Sequence, residues 1–340
     1  MIEQKPCYIL AIESSCDDTA AAVLKNDVVL SNSIANQSIH EAYGGVVPEL
    51  ASRAHQQNIV PVVDQAIKKA GITKHQLDAI AFTRGPGLLG SLLVGTSFAK
   101  SLSMGLAIPL IDVNHLQGHL LSHFIADGNP NPSFPFLGIT VSGGHTQIVK
   151  VTNYFTMEEI GRTQDDAIGE AFDKCGKVLG LGYPAGPHID RLAKEGNPAA
   201  FTFPIPKVDG LNVSYSGFKT AVINFLHKNT QNNAAFIKEN LADLCASIQY
   251  TLIEIIFTKI FKAVEQTGIK ELAIGGGVAA NSGLREKLQT TAKEKGWTVH
   301  IPPFAYTTDN AAMIGIVGYL KYRQQSFVGL NQAATARLPI

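Results

Sequence analysis

The stretch YILAIESSCDDTAAAVLK, residues 8–25, decides the fold class of this chain. An apolar run, Tyr8–Glu13, ends in a polar and acidic turn, and a second apolar run, Thr19–Lys25, follows at once. This pattern predicts two strands joined by a tight turn. The chain repeats it with FLGITVSGGHTQIVKV at residues 136–151, where the turn is rich in glycine. We therefore predict an α/β fold made of two similar halves, with duplicated sheets and a ligand cleft between the halves.

The proline-rich stretch at residues 127–135 predicts a linker between the halves. We place the first half at residues 1–132, completed by a last helix near residues 310–330, and the second half at residues 133–309 with inserted helices. A long helix is predicted over residues 48–70, where Pro61 should break or kink it. Further helices are predicted over residues 88–104, 115–126, 166–179, 216–227, 240–266, from about 282, and 309–324.

The composition limits the class of protein. The chain has 340 residues, of which 45% are hydrophobic and 16% charged, which is typical of a compact globular protein. It has 28 basic and 28 acidic residues, so its formal net charge is zero. A neutral chain is not a typical stand-alone nucleic-acid binder, and any RNA contact must come from a partner or from local basic residues. Candidates for such contacts are Arg53, Arg84, Lys174 and Lys177.

The cysteine pattern and the hydropathy indicate the compartment. None of the four cysteines forms a C-x-x-C pair, which excludes a thiolate metal site of that kind. Residues 1–5 are polar and have no signal-peptide core, and no run of about 20 apolar residues predicts a membrane span. We expect a soluble, cytoplasmic protein that makes no contact with a membrane.

Three turns have the residue types that approach a phosphate group closely. They lie at residues 13–19, 142–146 and 275–281, each directly after a predicted strand. Glycine and hydroxyl residues let backbone N–H groups point at an anion, and a helix N-terminus adds partial positive charge. Any one of these turns alone more often serves only to reverse the chain. The ordered set of three favours a nucleotide.

Two histidines form a candidate metal site. His115 and His119 stand at i and i+4, so one helix face presents both imidazoles. Two surface histidines are the simpler alternative, and a third ligand such as Asp309 cannot be joined to them by spacing. Leu116 occupies the position where a zinc protease of the H-E-x-x-H type has its glutamate, which disfavours a metalloprotease.

A predicted helix presents three acids on one face. Asp166, Glu170 and Asp173 are spaced i, i+4 and i+7, and a glycine-rich loop at residues 182–187 and Asp190 follow. Acids in a first helical turn often only complement the helix dipole. Three on one face beside a flexible loop indicate the wall of a site for hydroxyl or amine groups.

The ordered motifs resemble the tRNA N6-adenosine threonylcarbamoyltransferase family, known earlier as O-sialoglycoprotein endopeptidases. The resemblance runs from residue 9 to about residue 318. Three positions, Asp18, Gln117 and Ala185, depart from the commonest family residue with little change of charge or size. The matching segments are IESSCD at 12–17, YGGVVPELASR at 43–53, GPGL at 85–88, HLQGH at 115–119, VSGGHT at 141–146, GEAFDK at 169–174, GGGV at 275–278 and TDN at 308–310.

The resemblance implies an actin-like ATPase fold, shared with Hsp70 and the sugar kinases, and transfer of threonylcarbamoyl from threonylcarbamoyl-AMP to adenosine 37 of tRNA. It implies that His115, His119 and Asp309 bind one divalent ion, Fe²⁺ or Zn²⁺. Asp17 and Asp18 lie in the first turn, which faces the cleft in this fold, and we expect Asp17 to be the catalytic base, with Asp18 as the alternative. The residues implied to contact donor or nucleotide are Thr140, Val141, Ser142, Gly143, Gly144, Asp173, Gly186, Asp190 and Asn281.

The resemblance also implies partners. These are tRNA and, in bacteria, an inactive paralogous subunit and a small ATPase. The apolar helix at residues 88–104 could form the face of a homo- or heterodimer, or could equally be a core helix. The alternatives to this function are a small-molecule kinase of the same fold, a metalloprotease and a non-catalytic scaffold subunit.

Overall fold

The computed structural model describes residues 6–340, so the expectation about residues 1–5 lies outside the described residues. The contacts divide the chain into two compact units. The first unit extends to Asn131 and includes Pro302–Ile340, and the second is Pro132–Ile301. The chain thus returns to the first unit earlier than the predicted residue 310. The reason is that the last strand of the second unit ends at His300.

Ten strands lie in the described residues, five in each unit. Those of the first unit are β1 (Tyr8–Glu13), β2 (Thr19–Lys25), β3 (Val28–Ala35), β4 (Ala79–Gly85) and β5 (Leu110–Asn114). Those of the second unit are β6 (Phe136–Val141), β7 (Thr146–Asn153), β8 (Thr156–Arg162), β9 (Glu271–Gly275) and β10 (Thr298–His300).

The helices follow the strands in both units. In chain order they are α1 (Pro48–Lys69), α2 (Leu89–Leu106), α3 (His115–Leu121), α4 (Ile168–Val178), α5 (Ala185–Ala193), α6 (Ser216–Asn232), α7 (Phe236–Glu239), α8 (Leu241–Thr267), α9 (Ser282–Lys295) and α10 (Ala311–Arg323).

The two sheets have the same topology. Their strand orders are β3-β2-β1-β4-β5 and β10-β9-β6-β7-β8, which correspond when β1 is matched to β6 and β4 to β9. In each unit the first strand pairs antiparallel with the second and parallel with the fourth. The parallel strands therefore end at one edge of each sheet, which is where ligands bind in open α/β sheets. The predicted duplication is confirmed.

Helix α1 runs through Pro61 as one continuous helix, so of the predicted break or kink the break is wrong. Pro61 is exposed, while Ile59, Val62, Val63 and Ala66 are buried in the core of the first unit. The ring lies on the outer face, and the apolar face packs on the sheet on both sides of it. Packing of that face outweighs the one backbone hydrogen bond that the proline removes.

Helix α8 corrects the expectation that no segment has the length of a membrane span. Among the described helices it alone is long and apolar enough to cross a membrane. Most of its apolar stretch is buried, and residues such as Leu252, Ile256 and Phe257 belong to the core of the second unit. Its hydropathy is thus that of a central core helix.

Four elements of the second unit were not expected from the sequence. They are β8, β10, α5 and α7. Strand β8 has exposed or half-exposed residues at most positions, so its alternation is weak. Strand β10 has three residues, and α5 begins inside the glycine-rich loop. Short elements with little apolar periodicity give little signal.

Candidate active site

The first unit brings His115, His119 and Asp309 together. The two imidazoles lie on one face of α3, with ring centroids 4.7 Å apart. Asp309 Oδ1 is 3.4 Å from His115 Nε2 and 3.3 Å from His119 Nε2. Ligand atoms of the three residues all lie within 4.8 Å of one another. This is the ligand set of a metal site with three protein ligands.

The carboxyl ends of parallel strands explain the position of the histidines. Strand β5 ends at Asn114, whose side chain caps α3 by accepting hydrogen bonds from the amides of Leu116 and Gln117. His115 therefore follows directly from the strand, at the sheet edge where β1 and β4 also end. Helix α3 is buried on nearly every side, which excludes the alternative of two surface histidines.

Helix α10 positions the third residue. Asn310 caps α10 by accepting from the amide of Met313, so Asp309 stands directly before the helix. Gly118 of α3 faces this helix, and a Cβ there would lie 3.2 Å from Met313 Cγ. This close approach of α3 and α10 is what brings Asp309 to the histidine pair.

Glu13, at the end of β1, orients His115. Its carboxylate Oε2 lies 3.1 Å from His115 Nδ1, and Ser15 Oγ lies 3.1 Å from the same nitrogen. Thr83 Oγ1 donates to Oε2 at 2.6 Å, and the Ser15 amide donates to Oε1 at 2.5 Å. A carboxylate on Nδ1 leaves His115 Nε2 for a metal ion. The sequence analysis placed Glu13 only in a turn, although a carboxylate at the end of a fully buried strand was a usable signal.

The two carboxylates of the cluster favour a cation beside the histidines. Burial alone would lower the pKa of His115, but Asp309 and Glu13 hold that pKa well above its usual range. Burial lowers the pKa of His119, which favours the neutral imidazole that metals bind. Burial would raise the pKa of Asp309, yet His115 and His119 hold it well below its usual range. Burial opposes ionisation of Glu13 as well, and His115 outweighs it and lowers that pKa.

The surroundings of His119 show whether these residues fit a metal ion. Its side chain is 0% exposed, and within the described residues neither ring nitrogen has a hydrogen bond of ordinary geometry. A buried polar atom without a partner is rare, because it loses its hydration without compensation. A cation between His119, His115 and Asp309 would be a partner for His119 Nε2, the nitrogen that faces Asp309. The residues present therefore fit a metal ion.

The acidic turn between β1 and β2 lies in the same unit. Burial raises the pKa of Asp18 to about 7, and the charges of Asp17, Asp309 and Glu13 add to the effect. His55 of α1 fixes the turn, with Nε2 3.0 Å from the Cys16 carbonyl oxygen. Asp18 can therefore exchange a proton near neutral pH.

The second unit holds the predicted donor residues. The amide of Ser142 bonds to the His145 carbonyl at 2.8 Å, which closes a tight turn at the carboxyl end of β6. Gly143 and Gly144 are exposed, and their amides have no hydrogen bond within residues 6–340. Two free amides in one turn can bind an anion. Thr140 and Val141 precede the turn in β6, where both side chains are buried.

Two further segments pack closely on this turn. The amide of Gly169, in α4, donates to the Ser142 carbonyl at 3.1 Å, and a Cβ at Gly169 would lie 2.7 Å from that oxygen. Gly276 has φ +97°, and its Cα hydrogen faces the Val141 carbonyl, where no side chain would fit. Both glycines were quoted only as parts of motifs, and their role in this packing was missed.

Asp190 and Asn281 have structural partners. Asp190 accepts from the amide of Ser282 at 3.1 Å and from its hydroxyl at 2.7 Å, and so joins α5 to the start of α9. Asn281 caps α9 through the amide of Leu284, and its Nδ2 donates to Gln249 at 2.7 Å. Sequence reasoning missed Gln249, which lies in the middle of an apolar helix.

Asp173, in α4, contacts the start of α5, where Gly186 lies. Asp173 Oδ1 accepts from the amide of Ala185 at 2.7 Å, although burial raises the pKa of the carboxyl. Gly186 follows Ala185, and a Cβ there would meet only Phe172, at 4.0 Å. The space beside this helix start is therefore open.

Two of the three acids predicted on one face are paired with a lysine. Asp166 precedes α4 and forms an ion pair with Lys174 at 2.7 Å, and the same ammonium group binds Glu170 at 2.7 Å. These acids and Lys174 therefore neutralise one another. Arg84 is engaged as well, with Asp112 at 3.3 Å. Both basic residues thus form ion pairs within their own unit.

Comparison with known proteins identifies the family. The family model TsaD, tRNA N6-adenosine threonylcarbamoyltransferase, matches residues 28–316. The tRNA N6-adenosine threonylcarbamoyltransferase of Christiangramia forsetii is 64% identical over 338 residues, covering 99% of each chain. That of Porphyromonas gingivalis is 56% identical over 340 residues, covering 99% of this chain and 100% of the other.

Solved structures show the fold. Full-length HypF in its phosphate- and nucleotide-bound form matches with a TM-score of 0.62 and 13% identity, over 95% of this chain and 47% of HypF. Component A of the Acidaminococcus fermentans (R)-2-hydroxyglutaryl-CoA dehydratase matches with a TM-score of 0.53 and 16% identity, over 94% of this chain and 99% of the other. These matches confirm the actin-like ATPase fold. Fold and sequence together establish that the chain belongs to the tRNA N6-adenosine threonylcarbamoyltransferase family.

Proposed function

We propose that the chain transfers the threonylcarbamoyl group from threonylcarbamoyl-AMP to N6 of adenosine 37 in tRNAs that read ANN codons, and releases AMP. The observation that carries the proposal is the family match over residues 28–316. Relatives of this name cover nearly the whole chain at more than half identity. The family separates this function from the kinase, protease and scaffold alternatives, which the fold alone does not.

The reaction is a nucleophilic displacement. The N6 nitrogen attacks the carbamoyl carbon, a C–N bond forms, and the C–O bond to the phosphate of AMP breaks. The amine proton leaves to a base, and the bond electrons leave with AMP. The lone pair of N6 is delocalised into the adenine ring, so catalysis requires an activated donor and charge stabilisation at the leaving phosphate.

His115, His119 and Asp309 would hold one divalent ion, Fe²⁺ or Zn²⁺. Such an ion supplies Lewis-acid polarisation and a template for oxygen groups of the donor. Glu13 and Ser15 keep the His115 ring oriented through Nδ1. The buried nitrogens of His119, neither of which has a hydrogen bond of ordinary geometry, support this assignment.

We propose Asp18 as the base, in place of its neighbour Asp17, which the sequence analysis preferred. A pKa of about 7 lets the Asp18 carboxylate accept the N6 proton near neutral pH. The interaction of His55 with the Cys16 carbonyl holds the turn in place before substrate binds.

The second unit would bind the donor nucleotide. The exposed amides of Gly143 and Gly144, next to Ser142, suit the phosphate of AMP. The open space at Gly186 and the buried carboxyl of Asp173 mark a second boundary of this region. Asp190 and Asn281 would act through the position of α9, and Thr140 and Val141 through the strand that presents the turn.

The chain would act in the cytoplasm on tRNA, without membrane contact, and in bacteria with an inactive paralogous subunit and a small ATPase. Helix α2 would contribute to a dimer face. Its exposed apolar residues support this, with Leu89 and Leu93 about half exposed and Met104 67% exposed. Its other face, which includes Leu92 and Ala99, is buried in the unit.

A transfer assay tests the function. Purified chain, tRNA with adenosine at position 37 and threonylcarbamoyl-AMP are combined with and without the accessory proteins, and the modified nucleoside is measured by mass spectrometry. We expect product from the wild type and at least 100-fold less from His115→Ala. His75→Ala, at an exposed position of the same unit, is the matched control and should keep full activity. Absence of product with all partners present would refute the proposal.

A further inference from the structure

The segment Ala333–Pro339 has no helix or strand and lies beyond the residues that the family model matches. It crosses the carboxyl edge of the first sheet and makes hydrogen bonds with both of its neighbouring turns. The Arg84 guanidinium donates to the Ala333 carbonyl at 3.2 Å, and the amide of Thr335 donates to the Arg84 carbonyl at 2.8 Å. The amide of Gly87 donates to the Ala336 carbonyl at 3.1 Å.

One contact reaches the helix that carries the histidines. Asn114 Nδ2 donates to the Pro339 carbonyl at 2.8 Å, while its Oδ1 accepts from the amide of Leu116 at 2.9 Å. The same side chain thus caps α3 and binds the segment. Because His115 is the next residue, the segment fixes the start of α3 directly.

A second path runs through the turn at residues 84–88. Gly85 has φ +154°, and a Cβ there would collide with the Thr335 carbonyl. On the other side, Gly87 lies against Ser15, and the amide of Leu88 donates to the Ser15 carbonyl at 2.7 Å. Ser15 in turn contacts His115 Nδ1. The turn is therefore held between the segment and a residue that touches the metal ligand.

The segment is held weakly. Every residue from 333 to 339 is exposed or half-exposed, so its docking relies on a few hydrogen bonds and little apolar burial. Such segments open with a small free energy relative to the core. Its docked state is the one in which both paths to His115 are complete.

We propose that Ala333–Pro339 is a docking strap that positions His115, and that strap docking and metal binding strengthen each other. Coupling between two binding events is reciprocal, so a docked strap raises the affinity for the metal, and bound metal holds the strap closed. Asn114 is the positioning residue through which the two are linked. The proposal rests on the metal-site part of the proposed function.

The test uses the full chain and Zn²⁺ alone. Apo protein is titrated with Zn²⁺ against a chromophoric chelator, and amide hydrogen exchange of residues 333–339 is followed with and without the ion. Asn114→Ser keeps a capping oxygen but has no amide to reach Pro339. We expect it to bind Zn²⁺ about tenfold more weakly, as for other outer-sphere partners of metal ligands. In the wild type, Zn²⁺ should slow exchange in the strap, and in Asn114→Ser this slowing should be lost.

One matched control variant and the wild type separate the outcomes. Asn153→Ser removes a side chain with the same pair of bonds, from the Phe155 amide and to Thr156, in a hairpin of the second unit. It should leave the Zn²⁺ affinity unchanged. The strap proposal would be overturned if Asn114→Ser bound Zn²⁺ within twofold of the wild-type affinity. It would also be overturned if Zn²⁺ did not change the amide hydrogen exchange of residues 333–339 in the wild type. No Zn²⁺ binding by the wild type would instead overturn the metal site on which the strap depends.

Discussion

Replacing Glu13 by glutamine tests the metal site through a residue that is not itself a ligand. Glu13 is 0% exposed and accepts from the Ser15 amide at 2.5 Å and from Thr83 Oγ1 at 2.6 Å. Its second oxygen also lies 3.1 Å from His115 Nδ1. Glutamine has the same shape but only one acceptor oxygen. In either orientation of the amide, one of these partners meets an NH₂ group.

The effect of the glutamine depends on which way its amide group is turned. If the NH₂ faces the Ser15 amide, two donors meet and a buried N–H loses its acceptor, which costs about 1–3 kcal/mol. If it faces His115, Nδ1 must accept, and the ring proton moves to Nε2. That nitrogen faces Asp309 and has to be unprotonated to bind a metal ion. We therefore expect metal affinity to fall about 10–100-fold and the free energy of unfolding to fall by about 1–3 kcal/mol.

The assay is a Zn²⁺ titration of apo protein against a competing chelator, with urea unfolding of the same samples. Glu158→Gln, at an exposed position of β8, is the control and should change neither quantity. If Glu13→Gln bound Zn²⁺ as tightly as the wild type, the orienting role of Glu13 would be wrong. If the free energy of unfolding fell and the Zn²⁺ affinity did not, Glu13 would have a structural role only.

Three further predictions concern other parts of the two units. Gly169→Ala places a methyl group 2.7 Å from the Ser142 carbonyl, so we expect a higher KM for threonylcarbamoyl-AMP in steady-state assays, and an unchanged KM would contradict the close packing. Because Asp18 must lose its proton to act as a base, activity should rise with pH through about 7. Asp18→Asn should remove that limb of the pH profile, and a persisting limb would exclude Asp18. Gly318→Ala places a Cβ 2.5 Å from Ala81 Cβ. We therefore expect the free energy of unfolding, measured in urea, to fall by about 1–3 kcal/mol and the Zn²⁺ affinity to fall as well. Wild-type values of both quantities would refute this packing.

The sequence was sufficient for the fold class and for the histidine pair of the candidate metal site. Strong apolar strands ending in polar or glycine turns gave β1, β2, β6 and β7, and the i, i+4 pair gave one face of α3. The link from that pair to Asp309 was not derivable from spacing, since it depends on how α10 packs in the first unit. The link between the histidine pair and Asp309 came only from the resemblance to the family.

Some contacts of the predicted site residues could not be derived from the sequence. Acids at helical spacing indicate a shared face, but they do not reveal the lysine that pairs with them, as Lys174 does with Asp166 and Glu170. Asp190 and Asn281 were predicted as donor-contacting residues, and the sequence pattern does not show that both also hold the start of α9. The strap has no apolar periodicity in its sequence, because backbone carbonyls and amides make most of its contacts. There was therefore no signal for it in the sequence.

The geometry of the candidate metal site is determined by packing as much as by the ligands. Gly315 of α10 lies against Leu24, and Gly318 lies against Ala81, so the helix sits nearer to the sheet than a larger residue would permit. Asp309 precedes this helix and is therefore placed by that distance, whereas the histidines follow from the end of β5. Two elements fixed separately on one sheet keep a ligand oxygen 3.3–3.4 Å from both imidazoles. A residue remote from the ion can then weaken its binding, while Gly105, with nothing within 4 Å, should tolerate alanine without effect on the site.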